Sequence, residues 1–216
     1  MKHITFYLDF ISPYAYLAFE QLPRALEGVS YSVGYTPVLF AGMLKHYGQL
    51  GPAEITPKRD WTYRQVLWQA HTLGIAMEHP ASHPFNPLPL LRIALACSPE
   101  MTPAQPNRYV CEAIFRHVWL GGEEAADEAR VATLAALLQA RRDPQGSEVK
   151  AQLKKNTDEA IAQGVFGVPT FAVDGKLFWG LDSLAMLRAY LLGEAWFAGP
   201  AWESSARVRV GVSRRG

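Results

Sequence analysis

Cysteine is nearly absent from this chain. Its 216 residues include two, Cys97 and Cys111. They are too few for a disulfide framework and do not form a Cys-x-x-Cys pair. Both fall in apolar, helix-like surroundings, where a thiol behaves as a small buried hydrophobe. Charge of either sign is not in excess: 21 Lys and Arg against 20 Asp and Glu give a net charge of +1. That balance speaks against a nucleic-acid partner or a polybasic membrane contact. Arg207, Arg209, Arg214 and Arg215 form a small basic tail, read as solvated. No apolar run approaches the ~18 residues of a membrane span. The N-terminus has no basic region followed by an apolar core and cleavage site. A cytoplasmic protein is expected. Repeats and low-complexity tracts are also missing.

What is present is a sizeable apolar fraction, 49% of residues, in an ordered pattern. Ile4 to Leu8 reads as a buried strand, and Pro13 to Leu26 as a helix that Pro23 should kink or end. Val29 to Val38 reads as a second strand, so the chain opens β-α-β, which predicts a parallel pair. Phe40 to Pro57 reads as a loop punctuated by Gly42, Gly48, Gly51 and Pro52. A helix follows from Pro57 to Gly74, then an irregular stretch from Ile75 to Pro89. Four more helices are predicted: Leu90 to Ser98, Asn107 to Leu120, Asp127 to Ala140 and Ser147 to Gln163. Pro169 to Val173 and Lys176 to Trp179 form a hairpin around Asp174-Gly175. Leu184 to Leu192 is a last short helix, capped by Asp182 or Ser183. The order is that of an α/β, thioredoxin-like fold with an inserted all-helical domain. The boundaries read 1–57 and 161–196 for the two thioredoxin-like parts, 58–160 for the helical insertion and 197–216 for the tail.

Three places stand out. Ser12 precedes Pro13 where the first strand meets the first helix; serine caps helices well and proline suits the first helical position. A helix N-terminus also favours anions, so a plain cap and a ligand site are both open. Val168-Pro169 precedes a strand, and such a bond can be cis in a tight turn. Gly180-Leu181-Asp182-Ser183 offers a carboxylate, a hydroxyl and free amides at a helix start. A thiol peptide such as glutathione matches this set. His79 and His83 are four apart, but Pro80 and Pro84 exclude a helical metal pair, and no metal site is expected. Trp61, Trp68, Trp119 and Trp179 suit core packing, with an aromatic pocket as the other reading.

Phe6 to Ala18, with Gly164 to Phe171 and Trp179-Gly180-Leu181-Asp182, resembles the 2-hydroxychromene-2-carboxylate isomerase family. That family is close to the kappa-class glutathione transferases within the DsbA-like thioredoxin superfamily. The resemblance runs from about residue 3 to 195. It implies a glutathione cofactor whose thiolate adds reversibly to an aromatic substrate. By the resemblance Ser12, beside Pro13 and Tyr14, would donate a hydrogen bond to that thiolate. Val168, ahead of Pro169, would pair with the cysteinyl backbone, and Asp182 and Ser183 would hold the γ-glutamyl end. Where the redox branch carries the first cysteine, this chain has Ser12-Pro13-Tyr14-Ala15, so thiol-disulfide exchange is not expected. Lys45, Gln49 and Asn86 are the substrate candidates, with Lys58 a further cation. Gln49 departs from the asparagine usual at its position. A homodimer is implied by the resemblance alone. Besides the isomerase, a kappa-like transferase and a non-catalytic thioredoxin-like binding module fit the same residues.

Overall fold

A computed structural model describes residues 1–99, 105–205, 207–209 and 211. Arg214 and Arg215 of the basic tail lie outside the described residues. The elements run β1 (Lys2–Leu8), α1 (Pro13–Ala25), β2 (Tyr31–Pro37), α2 (Phe40–Tyr47), α3 (Thr56–Leu73), α4 (Leu88–Ala96), α5 (Arg108–Trp119), α6 (Glu128–Leu137), α7 (Ser147–Ala162), β3 (Thr170–Val173), β4 (Lys176–Trp179), α8 (Leu184–Leu191) and α9 (Pro200–Ser205). The sheet order is β2-β1-β3-β4. β1 and β2 are parallel, with Leu8 opposite Pro37, while β3 runs antiparallel to both β1 and β4. Asp174 and Gly175 both have positive φ, at 48° and 75°. That is the geometry of a tight hairpin turn that matches strand twist.

β1 is the centre of the architecture because both its faces are covered. Ile4, Phe6 and Leu8 point into the main apolar cluster with Leu17, Phe19, Phe115 and Trp119. Tyr7 points the other way, into a smaller cluster with Val38, Met43, Ala160, Val165 and Val168. A strand buried on both faces reads as a continuous apolar run, as Ile4 to Leu8 does. The main cluster extends through α4 and α5, so these helices pack on the sheet side that carries α1, while the C-terminal part of α7, through Ala160, packs on the other side. Among the described residues no helix is long and apolar enough to cross a membrane.

Five local readings differ from the structure. Phe40 to Tyr47 is a helix, not loop, and a 3₁₀ turn at Pro52–Glu54 follows it. Leu39 precedes that helix and offers no side-chain cap, so the usual start signal is missing. α1 continues through Pro23 to Ala25, in its last turn. α8 has no side-chain cap bond from Ser183; a 3₁₀ turn, Leu181–Ser183, leads into it instead. Trp119 is fully buried, but Trp61, Trp68 and Trp179 are exposed rather than packed in the core, and Cys97 is only half-buried.

Candidate functional site

The turn from Asp9 to Ser12 joins β1 to α1, and most of its polar backbone groups have partners. Ser12 N donates to Asp9 O at 3.1 Å, and Ile11 N donates to Asp9 Oδ1 at 3.2 Å. Trp119 Nε1 donates to the Phe10 carbonyl at 3.0 Å. His83 Nε2 lies 2.8 Å from the Ile11 carbonyl; since a carbonyl only accepts, Nε2 carries the proton. The Tyr63 hydroxyl braces the same imidazole, 2.8 Å from Nδ1. Burial pushes the His83 pKa down, which favours this neutral, bracing form.

Ser12 caps α1: its Oγ accepts from Ala15 N at 3.2 Å, and Pro13 follows at the first helical position. Its own hydroxyl proton points at the Val168 carbonyl, 3.4 Å away. The Val168-Pro169 bond is cis. These two places, 156 residues apart in sequence, are therefore in contact. No acidic residue sits in the first turn of α1, so the positive end of its dipole is not neutralised from within the helix. No basic side chain bonds to Ser12 Oγ among the described residues; its partners are the Ala15 amide and the Val168 carbonyl.

The third place is joined to the second. Gly180 N donates to the Pro169 carbonyl at 2.9 Å, and the Ser183 hydroxyl donates to the Gly180 carbonyl at 2.8 Å. Gly180 has φ +95°, and a Cβ there would meet Asp182 Oδ1. Asp182 is exposed. Its carboxylate raises the Tyr14 pKa, though burial of the phenol is the larger cause, so the two side chains are within electrostatic reach. Tyr14 itself donates to Gln65 Oε1 at 2.7 Å. Phe166 and Trp179 pack against each other at 4.9 Å beside the proline turn, both exposed.

The substrate candidates are not gathered in this way. Lys45 is exposed in the last turn of α2, and Gln49 is exposed just beyond it. Neither side chain bonds to a described residue. Asn86 is exposed before α4, and its Oδ1 accepts from Leu88 N at 3.1 Å. Asp9, His83, Trp119 and Gln65 are site-supporting residues that sequence reasoning missed. Asp9 had one signal, a lone acid inside the run Tyr7-Leu8-Asp9-Phe10-Ile11. It is completely buried. Burial pushes its pKa up to about 7, against the lowering effect of backbone N–H bonds from Phe40, Ile11 and Phe10.

Residues 3–192 match the model of the DSBA-like thioredoxin domain. The chain belongs to that family. A 2-hydroxychromene-2-carboxylate isomerase from Sphingobium xenophagum is 29% identical over 208 residues, covering 88% of this chain and 98% of that protein. Glutathione S-transferase kappa 1 from Rattus norvegicus is also 29% identical, over 215 residues, covering 89% of this chain and 92% of that protein. A solved 2-hydroxychromene-2-carboxylate isomerase superposes with a TM-score of 0.73 at 23% identity, across 96% of this chain and 100% of that one. In this DSBA-like chain the tetrad after β1 has no thiol. Cys111 is fully buried and its thiol pKa is pushed up by that burial; half-buried Cys97 shifts the same way for the same reason.

Proposed function

We propose that this chain is a glutathione-dependent isomerase acting on 2-hydroxychromene-2-carboxylate or a related aromatic carboxylate. The observation that carries the reading is the Ser12 hydroxyl, at a helix N-terminus without a thiol, 3.4 Å from the carbonyl of Val168. That distance is long for an O–H···O bond, which is usually about 2.7–2.8 Å. The proton is thus loosely committed, while the Ala15 amide fixes the oxygen. A sulfur anion arriving between the two walls offers that proton a stronger, charge-assisted acceptor.

Glutathione, when bound, supplies the nucleophilic thiol that the tetrad lacks. Everything else falls to the chain. Ser12 and the α1 N-terminus favour the charged sulfur and lower its pKa. Val168 presents backbone to a peptide as an added strand would. Asp182 and Ser183 offer a carboxylate and a hydroxyl for the γ-glutamyl end. Lys45, Gln49 and the Asn86 amide have donors to spare for a substrate carboxylate. A dimer and a cytoplasmic site of action belong to the same proposal.

The even match to a kappa transferase supports a second reading, in which the same activated thiolate meets a different electrophile. Calorimetric titration with glutathione decides whether the thiol binds at all; no saturable heat at millimolar concentration leaves only a binding module. Given binding, the absorbance change of the chromene carboxylate with and without glutathione tests isomerisation. Conjugation of chlorodinitrobenzene tests the transferase.

A further inference from the structure

α2 is a helix without a start signal of its own, and its start is supplied from two distant places. Leu39 N donates to Thr157 Oγ1 on α7 at 2.9 Å. Phe40 N, the first amide of the helix, donates to Asp9 Oδ2 at 2.9 Å. The other oxygen of Asp9 accepts from Ile11 N, next to Ser12. One carboxylate therefore spans two elements: the turn that carries Ser12 and the helix that carries Lys45 and leads to Gln49. We infer that Asp9 is a positioning residue, whose ionised carboxylate ties α2 to the Ser12 turn and, resting on the reading above, sets where the substrate's carboxylate meets Lys45 and Gln49 relative to the sulfur.

The chemistry of the carboxyl makes this tie proton-sensitive. A carboxylate accepts strongly at both oxygens; protonation turns one into a hydroxyl, a donor and a much weaker acceptor for a backbone N–H. Both oxygens face N–H groups here, so protonation weakens one of the two bonds, either to Phe40 or to Ile11. Asp9 is sealed from water, so no solvent molecule replaces the weakened partner. The causes of its raised pKa are burial, opposed by backbone N–H groups, with no charged side chain among them. The titratable side chain bonded to the same turn is His83, through the Ile11 carbonyl; burial lowers its pKa and so disfavours its charged form. Thr157, from α7, does not ionise and holds Leu39 at any pH.

Amide hydrogen exchange on the full chain tests this, with rates corrected for intrinsic chemistry, at about pH 5.5 and about pH 8. Wild type should protect the Phe40 or the Ile11 amide less at the lower pH, while the Ala15 amide, held by Ser12, is unchanged. Asp9→Asn, whose amide nitrogen cannot accept, should lose about tenfold protection at one of those positions at both pH values. In the isomerase assay it should raise KM for the aromatic carboxylate more than it lowers kcat, with glutathione affinity kept. Equal protection at both pH values in wild type overturns the inference, and needs no variant to fold. So does a uniform loss of protection across the folded variant, which marks a merely structural residue. Absence of glutathione binding would sink the functional reading but leave the exchange result standing. A flat exchange profile with glutathione bound would do the reverse.

Discussion

The Asp9–Ser12 turn and the start of α2 lie side by side at one end of the sheet, since Leu8 pairs with Pro37 and Val38 N bonds to the Leu8 carbonyl. They are held in opposite ways. The helix that follows the turn is capped from within its own sequence, by Ser12 on the Ala15 amide three residues on. α2 borrows its caps from Asp9 and Thr157, which are 31 and 118 positions away. The first arrangement survives in any context that forms the helix; the second exists only once the fold has closed. The turn is also buried, whereas the segment beyond α2 exposes Leu50, Ile55, Trp61 and Trp68.

The comparison is broken most forcefully through Asp9. Its folded pKa is raised to about 7 from the ordinary 3.8. The folded state therefore holds a proton that the unfolded chain has released, and stability from this group is complete below about pH 4 and lost as pH rises towards about 7. The loss is on the order of 4 kcal/mol. Chemical denaturation across that range should show this fall in wild type and a flatter profile in Asp9→Asn. The residue that ties the two regions together would then be one that costs global stability at neutral pH, as functional groups often do.

Ser12→Ala should cut turnover by about 10²–10³-fold, the usual loss for one donor aimed at developing charge. It should lower stability by only about 1 kcal/mol, the value of one cap; steady-state kinetics beside denaturation separates the two. Gly180→Ala strains a positive-φ position by about 1–3 kcal/mol and displaces the Asp182 carboxylate. Calorimetry should show weaker glutathione binding with little change in kcat. Thr157→Val removes one borrowed cap. It should loosen exchange at Leu39 by about 1 kcal/mol and leave the Ser12 turn untouched.

The same distinction explains what the sequence revealed. Strands β1 and β2, helix α1, the Asp174-Gly175 hairpin and the helical block are written in local patterns: apolar runs, a Ser-Pro start, a turn dipeptide. So is the pairing of Ser12 with Val168-Pro169, because each has its own motif and the fold family brings them together. α2 was unreadable because its capping atoms belong to other elements. Asp9, His83 and Trp119 were missed as supports for a related reason. Each holds a backbone carbonyl or amide of the turn, and a backbone partner leaves no mark in the sequence. Trp61, Trp68 and Trp179 failed in the opposite sense: ring size argued for the core, but their helix and strand faces point outward.

The central claim is that the reactive sulfur arrives with glutathione and is made anionic by Ser12. Ultraviolet titration of the thiolate in the glutathione complex tests it most directly, as a difference from the chain alone. The bound thiol should ionise well below the free value of about 8.5, and Ser12→Ala should move the midpoint back towards that value. Wild type and Ser12→Ala titrating together at the free value would contradict the account.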